Sequence, residues 1–411
     1  MNILLIHQYF LEEDGAGGSR FNEMAEIWTL EGHNVTVLAG MMPDVNGKKL
    51  ACYKNKKIVF RKQGLVKVYR CHVNEAYNKN YFGRVLGYFS FLFYSFWAGL
   101  FMIKDNPDLI LFTSPPIMLG IPAFLFSRIK KVPLVFEVRD LWPESAIDTG
   151  VLKNKYLIKL MFMLENILYK KSKLICVLTP AFKNVLINNK KVDPSKIIYI
   201  PNGSDFKITD QMISSYDPFE IRNKRKAEDK FVIVYVGAHG LANGLHQILD
   251  TAELLQDTNV VFWLIGKGMK RNELINDAQK KGLKNIEFID PIPKPEIFKY
   301  ILSADMGTSV LTNNNTFKTV YSNKTFDYMS CKKPVLLAID GISRVLIEEA
   351  DAGVFIEPEN PKDFEKKIRF YLNNPDLVKR QGLNGYLYAK EKFDRKKLAK
   401  SYLEYLQELV T

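Results

Sequence analysis

Residues Phe231–Leu249 read FVIVYVGAHGLANGLHQIL. An apolar run ends at Gly237, glycines at 237, 240 and 244 surround His239 and Asn243, and a helical pattern follows. A continuous apolar run belongs to a strand covered on both faces, the condition of a parallel sheet. Turning through glycines into a helix brings backbone N–H groups close to one spot, and the start of the helix favours negative charge there. The same construction stands at the N-terminus, where strand-like Ile3–His7 leads into Gly15, Gly17 and Gly18 before a helical stretch at Phe21–Leu30. Gly15-Ala16-Gly17-Gly18 does not match the dinucleotide spacing G-x-G-x-x-G. Either glycine group alone serves equally as a tight turn without ligand, and His239 as a turn residue. Two of them at equivalent strand ends would bracket a diphosphate.

Outward from these turns the chain alternates strand and helix. Val35–Ala39, Val66–Cys71, Leu109–Thr113, Leu134–Val138, Leu174–Leu178 and Ile197–Ile200 read as strands of a first half, with a helix over Lys155–Lys171 between two of them. IPNGSDF, from Ile200, is a breaker suited to a linker or domain edge. The second half repeats the scheme from Phe231, with strand-like runs at Val260, Ile286, Met306, Pro334 and Gly353. The expected fold is α/β, with two Rossmann-like, doubly wound parallel sheets facing a central cleft. A length of 411 residues fits two cores better than one.

The formal charge of +13 is uneven: up to Ile200 there are 27 Lys and Arg against 16 Asp and Glu, and from Pro201 onward 31 against 29. A basic first half points to an anionic partner such as nucleic acid, a phosphorylated substrate or an acidic membrane surface, although lysine also simply maintains solubility. Cys52, Cys71, Cys176 and Cys331 lack metal-type spacing and are expected as reduced thiols. MNILLIHQYF shows neither the basic flank nor the cleavage site of a signal peptide. Val85–Ile103 carries no charge over 19 residues, long enough to span a bilayer. It lies between two strands of one expected sheet, so a single crossing would separate strands that must pair. It is therefore either a buried crossover helix or one that presents aromatic surface to a membrane interface, near Lys79, Arg84 and Lys104.

Residues that could carry chemistry cluster at strand ends. Gly266 and Lys267 follow the Val260 strand, and Pro291 and Ile292 stiffen the loop after the Ile286 strand, where rigid backbone could read a nucleobase. Glu137, Arg139, Asp140 and Glu144 follow the Leu134 strand. A carboxylate there could orient an acceptor hydroxyl or take its proton, whereas Arg139 could equally fasten the loop by an ion pair. In Tyr321–Leu337, YSNKTFDYMSCKKPVLL, Asn323 and Lys324 open a helix and Asp327 lies about one turn on. Lys324 could meet a diphosphate and Asp327 a ribose, although a carboxylate near a helix start needs no ligand.

Together the GG after the first strand, EGHNVTVLAG, TSPP, RDLWPES, IPNGSDF, GLANGL, NKTFDYM-x4-PV and DAGVFIEPEN resemble the retaining GT-B glycosyltransferases of family 4, over nearly the whole chain. The nearest branch is the one that builds bacterial O-antigen and capsule, which includes N-acetylfucosaminyl-type transferases. The resemblance implies an acceptor-side domain of residues 1–200 with 386–411, the last helix crossing back, and a nucleotide-sugar domain of 201–385. It implies donor contacts at Gly17, Gly18, His239, Gly240, Asn243, Gly266, Pro291, Ile292, Asn323 and Asp327. Catalytic roles fall to Asp140, Lys324 and Arg139, with Glu144 toward the acceptor. Family members often carry two glutamates with seven residues between them; here Thr319 and Asp327 hold those positions. Lys332 stands where a glycine is common, and a left-handed turn there would cost it about 1 kcal/mol.

The implied reaction moves a sugar, N-acetylated and UDP-linked, from a nucleoside diphosphate with retention to a polyprenyl-diphosphate-linked saccharide. Closure of the two domains would exclude water. With no Asp-x-Asp motif in place, no metal or other cofactor is expected. The partners would be the donor, the lipid-linked acceptor and the inner face of the cytoplasmic membrane, with no nucleic acid. The alternatives are a nucleotide-sugar epimerase of the same fold and a non-catalytic basic protein that binds membranes or nucleic acid.

Overall fold

The computed structural model describes residues 1–13, 15, 20–42, 49–75, 81–148, 150 and 152–410. Two compact units emerge, Met1–Pro201 with Lys396–Thr411, and Asn202–Arg395.

The first unit contains β1 (Asn2–Ile6), α1 (Arg20–Leu30), β2 (Asn34–Gly40), β3 (Ile58–Gln63), β4 (Val66–Cys71), α2 (Tyr81–Phe101), β5 (Leu109–Ser114), α3 (Gly120–Lys130), β6 (Leu134–Val138), α4 (Glu144–Asp148), α5 (Lys155–Lys171), β7 (Leu174–Val177), α6 (Pro180–Asn188) and β8 (Ile197–Tyr199). Its sheet has the order β3-β4-β2-β1-β5-β6-β7-β8, parallel except for β3. The chain leaves β1 toward β2 and returns on its other side as β5, so the switch point lies between β1 and β5. Continuous burial of β1, β2, β5 and β6 follows from helices on both faces.

β3 was not expected from the sequence. It pairs antiparallel with β4 across Gly64-Leu65, with Gly64 at φ +56°. The signal was present, a two-residue connection containing glycine between β-branched runs, but the polar face of β3 hid it.

The second unit contains α7 (Phe206–Ser215), α8 (Phe219–Lys224), β9 (Phe231–Val236), α9 (His246–Leu254), β10 (Val260–Ile265), α10 (Arg271–Lys280), β11 (Ile286–Ile289), α11 (Lys294–Ser303), β12 (Met306–Val310), α12 (Asn323–Ser330), β13 (Val335–Ala338), α13 (Ile342–Glu349), β14 (Gly353–Phe355), α14 (Pro361–Leu372) and α15 (Pro375–Lys392). All its strands are parallel, in the order β11-β10-β9-β12-β13-β14, with the switch point between β9 and β12. Alternate residues of β9 face two cores: Val232 and Val234 toward one, Ile233 and Tyr235 toward the other.

The chain returns to the first unit at Lys396, ten residues later than the expected 386. The reason is aromatic packing. Phe393 lies 4.7 Å from Phe326, 6.0 Å from Tyr321 and 6.1 Å from Tyr388, and its carbonyl accepts from the Ser204 amide. What the sequence presents as one final helix is therefore two, α15 and α16 (Arg395–Glu408), broken at Phe393-Asp394. α16 is fastened to α1 by Trp28, whose indole N–H donates to Ala399 O at 2.8 Å and whose ring meets Tyr402 edge-on at 5.6 Å. Trp28 is fully buried in the core that includes β1, β2 and α16. Trp28→Ala should therefore destabilise the protein by about 3–5 kcal/mol, read from chemical denaturation; a loss below about 1 kcal/mol would mean that α16 docks without it.

Candidate functional site

The second unit's site begins where β9 and β12 part. Their pairing runs through Ile233–Met306 and Val234–Gly307. At the next rung the Tyr328 phenol stands between the strands, accepting from Val236 N at 2.9 Å and donating to Thr308 O at 3.1 Å. It satisfies two buried backbone groups that the diverging strands would otherwise leave unpaired. Gly307 makes room, since a Cβ there would lie 2.2 Å from the ring. Tyr328 belongs to α12, and Lys324 lies on the same helix face four residues earlier. Seating Tyr328 therefore fixes where Lys324 emerges.

The Lys324 ammonium lies 4.9 Å from the centroid of Tyr235, and its Cε is 3.1 Å from where a Gly237 Cβ would be. Burial lowers its pKa to about 8, with the nearby Asp327 charge opposing the shift. Ser322, at the N-cap, makes no side-chain bond to the helix backbone; its hydroxyl accepts from Ser309 at 2.7 Å. The first turn of α12, beginning at exposed Asn323, thus keeps amides uncapped by that side chain, an arrangement suited to an anion. Asp327 accepts from the Ser204 hydroxyl at 2.9 Å, which ties α12 to the IPNGS segment.

His239 faces the same place from the β9 loop. Its ring is 6.0 Å from Tyr235 and fully buried, and neither nitrogen has a hydrogen-bond partner among the described residues. Burial, then the charge of Arg271, lowers its pKa to about 4, so at neutral pH the imidazole offers one donor and one acceptor. A buried polar side chain left unsatisfied in this way is what a ligand hydroxyl or phosphate would complete. Backbone contacts fix the loop: His239 N donates to Lys267 O and Lys270 N to His239 O, both at 2.9 Å. Gly266, at φ +151°, allows this approach, because a Cβ there would lie 1.9 Å from Gly237 O.

Other expected residues support the frame. The Asn243 carboxamide accepts from Gly240 N at 3.3 Å, shaping the turn that Gly244 closes at φ +54°. Pro291 and Ile292 follow β11, beside Asp290, which pairs with Arg271 at 2.9 Å. Arg271 itself was missed in the sequence. It opens α10, and its buried Nε is unpaired among the described residues. Only the preceding Gly266 and Gly268, which bring α10 close to the β9 loop, could have flagged it.

The first unit's counterpart lies at its own switch point. His7, after β1, pairs through Nδ1 with the Thr113 hydroxyl of β5 at 2.8 Å, while its Nε2 lies 3.3 Å from Arg139 Nη1. Burial, followed by three neighbouring arginines, pushes the His7 pKa well down and keeps the ring neutral. Arg139 also lies 3.9 Å from Glu137, whose carboxylate is held by buried Arg20 at 3.1 Å. Arg20 donates in addition to Ile200 O and Pro201 O, joining α1, β6 and the end of this unit.

The Asp140 carboxyl is held by Ser145 and the Leu141 amide, yet burial outweighs these bonds and raises its pKa to about 6. Glu144 is bound to Lys190, which also holds Glu165 at 2.8 Å; this ion-pair network occupies the side chain expected to face an acceptor. Gly17 and Gly18 lie outside the described residues. Before them in the chain, Phe10 O and Leu11 O accept from Arg70, and after them Arg20 donates to Glu137. Among the described residues one set, His246, Glu273 and Asp277, brings metal-ligating atoms within 4.8 Å of one another. It is a surface cluster, and Lys270 already pairs with Glu273 at 2.6 Å.

If the phenol of Tyr328 seats α12, Tyr328→Phe should cost about 1–3 kcal/mol of stability by orphaning Val236 N–H and Thr308 C=O. It should also weaken ligand binding at Lys324, measured by calorimetry. Unchanged stability would show that the strand ends are satisfied otherwise.

Two domain models match the chain: a glycosyl transferase 4-like domain over residues 15–203 and glycosyl transferases group 1 over 217–388. WcaI of Escherichia coli K12, named as a colanic acid biosynthesis glycosyl transferase, is 21% identical over 98% of this chain and 99% of its own length. Among solved structures, sucrose-phosphate synthase from Thermosynechococcus elongatus superposes with a TM-score of 0.75 at 14% identity, covering 99% of this chain and 98% of its own. Anabaena HepE in complex with UDP-glucose does so with a TM-score of 0.72 at 16% identity, covering 99% and 100%. Two domain matches in succession, each on a parallel-sheet unit, place the chain among the glycosyltransferases of the GT-B fold.

Proposed function

We propose that this glycosyltransferase moves a sugar from a nucleoside diphosphate donor with retention at the anomeric carbon. The donor we infer is a UDP-linked N-acetylated sugar. The acceptor is a polyprenyl-diphosphate-linked saccharide of bacterial surface polysaccharide synthesis, met by a peripheral enzyme on the inner face of the membrane. The observation that carries the reading is the pairing of the unsatisfied His239 imidazole with the Lys324 ammonium around Tyr235, beside the uncapped start of α12. Support for a nucleotide sugar comes from the UDP-glucose complex of HepE, and for a surface polysaccharide from the naming of WcaI. The N-acetylated donor rests on the motif resemblance to the O-antigen and capsule branch.

In this mechanism the diphosphate gains charge as the glycosidic bond breaks. Lys324 and the first-turn amides of α12 stabilise that charge, and no metal ion is required. His239 and Gly240 hold the phosphates or the transferred sugar. Asn323 and Asn243 border the donor, Asp327 takes the ribose hydroxyls, and the loops at Gly266 and Pro291–Ile292 hold the base. Arg139 and Asp140 act on the acceptor side; above about pH 6 the Asp140 carboxylate can accept a hydrogen bond or proton from the acceptor hydroxyl. Glu144 serves there through Lys190, by shaping the loop.

Substitutions, a chelator and a pH profile test this. Lys324→Ala should lower kcat by about a hundredfold or more while the fold survives, and EDTA should leave wild-type turnover unchanged. The cationic form of Lys324 is lost as pH rises through about 8, so kcat/KM should fall over that range. Lys324→Arg stays cationic throughout and should move the falling limb upward; a limb that stays in place would remove Lys324 from the mechanism. Asp327→Asn should weaken binding of UDP itself, and unchanged UDP affinity would refute the ribose assignment.

A further inference from the structure

α2, α3 and α5 form one helical layer on the first unit's sheet. Phe96 of α2 stacks on Phe126 of α3 at 5.2 Å, Gly99 admits the Phe126 ring, and Gly120 of α3 sits against Leu168 of α5. The inner face of α2 buries Phe91, Ser95 and Ala98. Its outer face exposes Leu86, Phe89, Phe93, Trp97 and Phe101, spaced three and four apart, with Phe93 58% and Trp97 50% exposed. α5 repeats the pattern with Tyr156, Leu160, Met163 and Ile167, and α3 adds Leu125 and Ile129 between them. Three neighbouring helices thus turn large apolar side chains outward, and an exposed apolar surface rimmed by polar residues marks an interaction site.

Charge on this layer has one sign. The sequences of α2 and α3 contain no acid, and the single acid of α5, Glu165, is buried on Lys190 and Tyr169. Exposed cations lie beside the apolar stripe, at Arg128 on α3 and at Lys155 and Lys159 on α5. At the end of α5, Lys170, Lys191 and Lys196 line a cavity of about 430 Å³ together with Tyr169, Asn166 and one exposed acid, Asp193, so lysines outnumber the acid there. Among the described residues no helix is long and apolar enough to cross a membrane. An apolar stripe whose exposed charges on α3 and α5 are all cations suits helices lying in the plane of an anionic bilayer.

We propose that the outer faces of α2, α3 and α5 are the surface by which this chain docks on an anionic lipid leaflet. The aromatic stripe enters the interface, and the lysine-lined cavity at the end of α5 receives a lipid headgroup phosphate. The inference deepens the membrane reading above and rests on it, but not on the transfer reaction.

Trp97 makes the test direct. The full chain is mixed with phosphatidylcholine vesicles and with vesicles containing phosphatidylglycerol, each with or without brominated acyl chains. Binding should be at least tenfold tighter to the anionic vesicles, with fluorescence quenched by bromine, and Trp97→Phe should abolish most of that quenching while keeping the affinity. Phe89→Ser with Phe93→Ser, and separately Lys155→Glu with Lys159→Glu, should each weaken binding at least tenfold at unchanged melting temperature. Lys191→Glu with Lys196→Glu should lower the preference for phosphatidylglycerol.

Binding that is anionic but insensitive to these substitutions would overturn the assigned face and leave the membrane reading standing. Absence of binding to either vesicle, with transfer to a short-chain soluble acceptor intact, would refute the membrane reading and leave the transferase standing. A lipid-free dimer by sedimentation that the Phe89/Phe93 variant abolishes would show that the face covers a second copy of the chain instead.

Discussion

One phenol organises the second unit. Parallel strands that part at a switch point leave backbone groups without ladder partners, and a buried unpaired amide or carbonyl is costly. Tyr328 closes that gap between β9 and β12, and Gly307 provides the space for its ring. Because the phenol rides on α12, satisfying the sheet also sets the helix. The helix start, the Lys324 side chain and the loop after β9 then meet around Tyr235. A packing problem inherent in the sheet is thus coupled to the placement of positive charge.

The electrostatics of the two units differ in kind. In the first, buried charge is compensated on the spot: Arg20 meets Glu137 and two carbonyls, and Arg70 meets Glu12 and loop carbonyls. Such groups hold loops, and removing one partner would strand the other. In the second, desolvation goes less compensated. Lys324 is weakened as a cation by burial, with Asp327 only partly opposing it, and His239 is held neutral with unsatisfied nitrogens. A bound diphosphate would restore the lysine and a sugar would satisfy the histidine, so the energy withheld in the free protein becomes available on binding.

Much of this was legible in the sequence because buried parallel strands are long apolar runs, and glycine turns after β1 and β9 mark their carboxyl ends. His239 was visible at the β9 turn and Lys324 and Asp327 at the helix start within Tyr321–Leu337, and the Lys332 left-handed turn appears at φ +58°. Other features depended on tertiary contact. β3 has a polar face, so alternation rather than a run was its only mark. The break between α15 and α16 is set by Phe393 packing on Phe326 and Tyr321, which no periodicity reveals. Arg271 joins the site only because Gly266 and Gly268 let two loops touch. The capture of Glu144 by Lys190 spans forty-six residues of chain. The uncharged stretch from Val85 could be excluded as a span by connectivity, but which of its faces is exposed needed the sheet beneath it.

The proposed seat for a diphosphate and its sugar has the first turn of α12 and Lys324 on one side and His239 on the other. A crystal structure with a non-hydrolysable UDP-sugar tests it most directly. The expected result is diphosphate oxygens within hydrogen-bonding distance of Lys324 Nζ and the α12 amides, with the sugar or a phosphate bonded to the His239 ring. A nucleotide bound with its diphosphate away from both residues, or the seat vacant at saturating ligand, would contradict it.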